Sequence, residues 1–187
     1  MSRRQAGAAR QRVLAVALEL FARHGVSGTS LQMIADEIGV TKAAVYHQFR
    51  TKDDIVQAVI APALDRFFHI IETAERQQGR SERAEATLAG LVDLVVDNRH
   101  LTAIMQSDPT ILHFLRSSST MRDLEQRIDF LLIGPEPDDE LLISALMVSG
   151  SLMTAATDPR TADFDDDRLR RNLLGAARRM LRLGKPA

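Results

Sequence analysis

Cysteine and tryptophan are absent from the 187 residues, and there is a single tyrosine. Without cysteine the chain can form no disulfide, no thiolate zinc site and no cysteine nucleophile. The five histidines show neither an i,i+4 pair nor another spacing of zinc ligands, and no G-x-S-x-G sequence surrounds the serines at 117–119. We therefore expect no catalytic site, no metal and no cofactor.

One acidic cluster could suggest calcium, because Asp163 and residues 165–167 carry four carboxylates close together. The cluster lacks the glycine and the distal glutamate of an EF-hand loop. Carboxylates also stabilise the positive N-terminus of a helix, and a helical apolar pattern follows them. We interpret the cluster as the start of the last helix.

Long apolar runs are also missing: none approaches the roughly 20 residues that a membrane-spanning helix requires. The basic residues 1–12 are not followed by the apolar stretch of a signal peptide. These absences predict a cytoplasmic protein without a membrane partner. We find no alternation typical of strands, whereas apolar residues recur at helical spacing almost throughout. The sequence therefore predicts an all-α fold.

Positive charge is concentrated near the N-terminus. Residues 1–52 contain eight basic and three acidic groups, a net charge of +5, so the other 135 residues sum to −6 within the overall −1. Two of the three lysines, Lys42 and Lys52, lie in this basic segment. A basic segment on an acidic chain suggests that the segment binds a polyanion, and an uneven but solvated surface is the alternative.

Three helices are expected in the basic segment. Gly25 is suited to end the first helix. Thr29, followed three residues later by Gln32, predicts a capping box that starts the second helix. Gly39 closes the second helix, and Thr41 caps a short third helix.

A fourth helix is expected to start at a second capping box, Thr51 with Asp54, and to continue through a kink at Pro62. Further helices are predicted at about 81–97, 101–106, 109–115, 120–132, 138–156 and 165–183. We predict two domains joined through the fourth helix, residues 1–52 and residues 53–187.

The third helix carries the functional signal. Val45 and Phe49 mark an inward face. The opposite face consists of Lys42, Ala43, Tyr46 and His47. Small residues at 35 and 39 allow a close helix crossing and a tight turn, as in a helix-turn-helix unit, whose second helix enters the major groove of DNA.

The outward residues have chemistry that suits DNA. Lys42 can neutralise a phosphate or donate to a guanine edge, and Ala43 offers a methyl group to thymine. Tyr46 and His47 can donate to phosphate oxygens. Lys52, on the first turn of the fourth helix, brings its charge and the helix N-terminus to another phosphate.

The stretch LELFARHGVSGTSLQMIADEIGVTKAAVYHQFRTKDDI, within about residues 10–59, resembles the TetR family of transcriptional regulators. Beyond residue 61 the resemblance is one of layout and length. It implies an Ω-shaped homodimer with a three-helix DNA-binding head and a C-terminal body for ligand binding and dimerisation. Members usually repress transcription and release their operator when a small molecule binds. The DNA contacts that the resemblance implies are Thr29, Thr41, Lys42, Ala43, Tyr46, His47 and Lys52.

The C-terminal domain has apolar residues on several helices, and methionine adapts to cavities of irregular shape. A cavity for a small apolar ligand is therefore expected, with ordinary core packing or solvated side chains as the alternative. The candidate ligand-binding residues are Phe67, Phe68, Arg99, His100, Met105, His113, Phe114, Met121 and Met147.

The last two helices carry apolar stripes interspersed with small residues. Two such helices from each of two subunits can form a four-helix interface around a two-fold axis, and a core within one chain is the alternative. The candidate interface residues are Leu142, Leu146, Ser149, Leu169, Leu173, Ala176 and Met180.

These observations predict a dimeric repressor that binds a pseudo-palindromic double-stranded operator and is released by a small apolar ligand. One alternative is a regulator that responds to a protein partner or to no ligand. Another is a small-molecule-binding or enzymatic helical protein that does not act through DNA. Salt-sensitive binding to duplex DNA distinguishes the last alternative from the first two readings.

Overall fold

The computed structural model describes residues 3–108, 111 and 119–184, with side chains from Gly7 onward. Within these residues the structure is helical and contains no strand, which confirms the all-α prediction. The helices are α1 (Arg3–Gly28), α2 (Leu31–Ile38), α3 (Lys42–Gln48), α4 (Lys52–Glu75), α5 (Arg80–Asp97), α6 (Arg99–Ser107), α7 (Ser119–Ile133), α8 (Asp139–Thr157) and α9 (Asp166–Met180). The helix predicted at 109–115 lies, apart from residue 111, outside the described residues.

The chain divides into two compact units. The first unit is Met1–Pro62 with Ala103–Phe114, and the second is Ala63–Thr102 with Leu115–Ala187. This division differs from the predicted one after residue 52, because the first turns of α4 bury Ile55, Val56 and Ile60 within the first unit. Helices α4 and α6 each begin in one unit and end in the other.

The predicted caps around α3 and α4 are present. The Thr41 hydroxyl accepts a hydrogen bond from the amide of Ala44 at 3.3 Å and starts α3. Thr51 and Asp54 form the reciprocal capping box, with the Thr51 amide 2.9 Å from the Asp54 carboxylate and the Asp54 amide 3.1 Å from the Thr51 hydroxyl. These bonds satisfy amides that have no partner inside their own helix.

The capping prediction for α2 was wrong by one residue. Ser30, not Thr29, is the N-cap, and its hydroxyl accepts from the Met33 amide at 3.2 Å. The Thr29 hydroxyl instead donates to the Gly25 carbonyl at 2.7 Å. Gly25, which was predicted to end α1, has φ 71° and interrupts its helical path, but residues 26–28 follow it in the same element. Both hydroxyl residues can cap a helix, so the path of the turn decided between them.

The second unit is built around α5, which packs against α7, α8 and α9. Its interior includes Leu88 and Val92 of α5, with Leu124, Leu132 and Leu169 from the surrounding helices. Ion pairs fasten the outer edge of α5 to α9, where Arg170 contacts Asp93 and Asp97 and Arg178 contacts Glu85.

The pKa of Asp97, whose carboxylate pairs with Arg66 and Arg170, is lowered from its usual value. Burial by itself raises the pKa, but the hydrogen bonds and positive charges of Arg66 and Arg170 outweigh it and hold the pKa below the usual value. The carboxylate therefore stays ionised with its partners. Partly exposed ion pairs each contribute little to the free energy of folding, so the apolar core supplies most of the stability. The ion pairs instead help to fix the alignment of α5 with α9.

Helix α8 is more apolar than the sequence analysis expected. Among the described residues it is the one helix long and apolar enough, by length and composition, to cross a membrane, so the expectation that no stretch approaches this limit was wrong. A core helix of a soluble protein meets the same criterion. Only 28% of the apolar 18-residue stretch of α8 is buried within the chain, however, so much of this helix is left uncovered.

Arg99, the first residue of α6, is bound to the connection between α8 and α9. Its guanidinium donates to the carbonyls of Ala156 at 3.0 Å, Thr161 at 3.0 Å and Phe164 at 3.2 Å. Ala156 lies in the last turn of α8, where carbonyls have no partner within the helix. Arg99 therefore caps α8 and orders the connection, which contains a 3₁₀ turn at Pro159–Thr161.

Replacing Arg99 by alanine should lower the free energy of unfolding by roughly 2 kcal/mol, because three carbonyls lose a charged donor at once. Urea titration followed by circular dichroism measures this change. Arg160→Ala is a matched control on the same connection, since its exposed side chain pairs with Asp158 two residues away, and its midpoint should stay close to that of the unmodified protein. Equal midpoints for the two variants would contradict the assigned role of Arg99.

Candidate nucleic-acid interface

Helix α3 presents a polar outer face above a buried inner one. Val45 is fully buried and Phe49 nearly so, whereas Lys42, Ala43, Tyr46 and His47 are exposed. Tyr46 keeps 46% of its surface exposed, which is a large fraction for an aromatic side chain. Ala44, which precedes the buried Val45, is also exposed. The cation, phenol and imidazole therefore share one accessible face.

The turn between α2 and α3 fixes the position of that face. Gly39 has φ 76°, a left-handed conformation that favours glycine. Its amide donates to the Asp36 carbonyl at 3.1 Å, and the next amide, of Val40, donates to the Ala35 carbonyl at 2.9 Å. Ala35 is completely buried. The small side chain at 35 and the tight turn at 39 bring α3 directly onto α2.

Lys52 has structural partners in addition to any role in binding. Its ammonium group donates to the carbonyls of Ser27 and Thr29, each at 3.2 Å. It thus ties the start of α4 to residues 25–29, the α1–α2 turn that runs from the kink in α1 toward α2. An ammonium group has three N–H donors, so one remains for an anion. The predicted phosphate contact of Lys52 is thus compatible with the structure but is not its only task.

Thr29 and Thr41 have local roles that the resemblance did not indicate. Thr29 is 2% exposed, and its hydroxyl donates within the turn, so its side chain does not reach the surface that α3 presents. Thr41 is exposed and uses its oxygen to cap α3. Because a hydroxyl that accepts can also donate, Thr41 keeps a donor for a phosphate oxygen.

Arg50 also contributes to this surface, although it was not among the predicted DNA contacts. Its guanidinium lies over the ring of Tyr46, 5.2 Å from the centroid, and holds a positive charge beside the exposed face of α3. Tyr46 and Arg50 are four residues apart, a spacing that brings side chains together on a helix. Arg50 lies beyond the predicted end of α3, so this spacing was not considered. A similar contact places Arg10 over Phe49 at 4.9 Å.

The predicted ligand-binding residues are distributed over the described chain in several environments. Phe67, Phe68 and Met121 pack partly buried against the core of the second unit, whereas Met105 is in the first unit. Arg99 is engaged by three carbonyls, and His100 and Met147 are exposed. His113 and Phe114 lie outside the described residues. Among the candidates that the structure describes, only Phe67, Phe68 and Met121 share one environment.

The predicted interface residues are also not all on the surface. Leu142, Leu146 and Ser149 of α8 and Ala176 of α9 are exposed, while Leu173 and Met180 are half-buried. Leu169 is 1% exposed and belongs to the core of its own chain. Ile143, which was not among the predicted interface residues, is exposed beside Met147 on α8. The uncovered apolar surface therefore belongs mainly to α8.

Two helices joined by a tight glycine turn, with a polar and basic outer face on the second, define a helix-turn-helix protein. Residues 13–59 match the model of the bacterial regulatory proteins of the tetR family. An HTH-type transcriptional regulator of Staphylococcus aureus (strain USA300) is 29% identical over 117 residues, which are 62% of this chain and 63% of the relative. The match thus spans less than two thirds of that relative's length.

Solved structures share the fold over nearly the whole chain. A Clostridium perfringens protein assigned to the regulation of fatty acid metabolism has a TM-score of 0.70 at 20% identity and covers 94% of this chain and 100% of its own. AibR, in complex with isovaleryl coenzyme A and operator DNA, has a TM-score of 0.62 at 20% identity. Its match covers 90% of this chain and 97% of AibR. Residues 13–59, which contain the helix-turn-helix, are thus similar to the tetR family, and the solved structures show that the fold is shared beyond them.

The two lysines should behave differently when replaced by alanine. Lys42→Ala should reduce the slope of log affinity against log salt by about 0.9, the value for one phosphate contact, without changing the unfolding midpoint. Lys52→Ala should lower both, because it also removes two hydrogen bonds inside the first unit. Fluorescence anisotropy with duplex DNA at several salt concentrations, together with thermal unfolding, measures both quantities. An unchanged slope for Lys42→Ala would exclude a phosphate contact there.

Proposed function

We propose that the chain is a homodimeric transcriptional repressor that binds a pseudo-palindromic operator in the cytoplasm and releases it when a small apolar ligand binds. The observation that carries this proposal is the exposed face of α3, held by the glycine turn within the residues that match the tetR family model. Lys42, Ala43, Tyr46 and His47 would read or position DNA, with Arg50, Thr41 and Lys52 supplying phosphate contacts at the edge.

The exposed surface of α8 supports a second copy of this chain as the partner. A helix that is apolar around its circumference is stable in water only when both sides are covered. The chain covers one side, through Leu141, Ala145 and Val148. The other side exposes Leu142, Ile143, Leu146 and Met147 in neighbouring turns.

Self-association through this surface is geometrically reasonable. Residues 149–151, which are serine, glycine and serine, are exposed one turn beyond the apolar patch and permit a close approach of two helices. A two-fold axis would bring the same patch of each subunit together. Such an axis would also relate two α3 helices, which is the reason that the operator should be pseudo-palindromic.

A ligand with an acyl chain is the class that the comparisons favour. One protein of the same fold is assigned to the regulation of fatty acid metabolism, and another was solved with an acyl thioester of coenzyme A and with operator DNA. In this chain Phe67, Phe68 and Met121 line the edge of the second unit's apolar core and could contact such a chain. The competing function is a regulator that works without a small-molecule inducer.

The dimer is tested by Leu146→Asp, which places a charge in the middle of the exposed apolar patch, where Leu146 keeps 56% of its surface. We expect this variant to be a monomer in multi-angle light scattering and to bind palindromic DNA more weakly, since burial of an unpaired carboxylate is costly. Gln126→Asp, at an exposed position of α7, is the matched control and should remain dimeric. A monomeric unmodified protein at micromolar concentration would refute the proposal.

The ligand is tested by titrating operator binding in the presence of isovaleryl coenzyme A and of longer acyl thioesters. A true inducer should raise the unfolding temperature and lower operator affinity by about 5- to 150-fold, the usual range of such coupling. Free coenzyme A is the control for binding through the nucleotide portion. Thioesters that stabilise the protein yet leave operator affinity unchanged have no preference between the two states, and would favour the regulator without an inducer.

A further inference from the structure

Residues 25–29, which run from the kink in α1 toward α2 and form the α1–α2 turn, are held by a carboxylate from a distant part of the chain. The backbone leaves the helical path at Gly25, with φ 71° and ψ 167°. The next amide, of Val26, donates to the Asp108 carboxylate at 2.6 Å. Val26 is 2% exposed and Asp108 is 5% exposed, so this hydrogen bond is shielded from water.

The position of Asp108 is itself well defined. It directly follows α6, and its own amide donates to the Ile104 carbonyl at 3.1 Å, which continues the helical pattern by one residue. Ile104 and Ile111, on either side of it in the sequence, are buried in the first unit. The carboxylate is therefore delivered to the turn by the end of α6, which belongs to the same unit as α1 to α3.

Glycine at position 25 fits this contact in two ways. Its positive φ is strained for other residues, and a Cβ atom there would lie 3.2 Å from the Asp108 carboxylate oxygen. The absent side chain thus leaves the space in which the carboxylate reaches the amide of the next residue. Burial of a carboxylate is unfavourable unless it is hydrogen-bonded, which makes the Val26 amide an important partner.

The same turn connects directly to the surface that faces DNA. Lys52 binds the carbonyls of Ser27 and Thr29 from the start of α4, and the Thr29 hydroxyl binds the Gly25 carbonyl. The turn then leads into α2, on which α3 rests. Asp108 acts on one side of this five-residue turn and Lys52 on the other.

We propose that Asp108 is a positioning residue for DNA binding: by accepting the Val26 amide it holds the α1–α2 turn, and through it α2 and α3, in the form that binds the operator. Asp108 is buried, so it acts without touching DNA. This inference rests on the proposed function for its effect on affinity, whereas the contact itself can be tested without DNA.

The experiment compares Asp108→Leu, which removes the acceptor at similar size, with Asp108→Asn, which keeps a neutral acceptor. Hydrogen exchange of the Val26 amide, followed by NMR, should become about 10-fold faster in Asp108→Leu, because a buried amide without an acceptor is unfavourable. Affinity for a palindromic duplex should fall about 10-fold in the same variant, while its dependence on salt stays unchanged, because no phosphate contact is lost. Asp108→Asn should fall between Asp108→Leu and the unmodified protein in both measurements.

Glu19→Gln removes one negative charge from an exposed position of α1 and controls for the change in charge of the unit; it should leave the exchange rate unaltered. Unchanged protection of Val26 in Asp108→Leu would overturn the contact. Lost protection with full operator affinity would overturn the positioning role. If Asp108→Leu does not fold, the intermediate values expected of Asp108→Asn decide in the same way. An unmodified protein that binds no duplex DNA defeats the proposed function and the positioning role together, and Val26 exchange then reports on the contact alone.

Discussion

The left-handed turn at Gly39 is the constraint on which the functional surface depends. Because glycine adopts positive φ at little cost, α2 can end and α3 can begin within three residues, with Ala35 completely buried at the crossing. Burial of Val45 on α3 and of Phe49, the residue that directly follows the helix, turns that side of α3 toward the interior of the unit. Lys42, Ala43, Tyr46 and His47 lie on the opposite side and remain exposed.

The main feature of the second unit is the large apolar surface that α8 exposes. One side of this helix completes the core around α5, and the other remains uncovered in the single chain. Helix α9 contrasts with it: its exposed positions include Arg168, Arg171 and Arg179, which are well solvated. Two neighbouring helices that looked equivalent as apolar stripes therefore present different surfaces, and only α8 calls for an apolar partner.

Several polar residues that suggested binding chemistry are engaged in holding the backbone. Arg99 binds three carbonyls, Thr29 binds the Gly25 carbonyl, and Lys52 binds two carbonyls of the α1–α2 turn. The common cause is that helix ends and turns leave carbonyls without a partner, and a nearby donor satisfies them. The composition of a sequence shows that such donors are present, but not which carbonyls come within their reach.

The sequence by itself determined the helices within the described residues, the glycine turn, the caps of α3 and α4 and the outward residues of α3, because periodicity and capping act over three or four residues. Tertiary structure alone decided that Ser30 and not Thr29 caps α2, that Leu169 is core, and that Asp108 meets Val26 across 82 residues of sequence. Contacts of that kind depend on how helices pack against each other, and no local pattern of residue types records the packing.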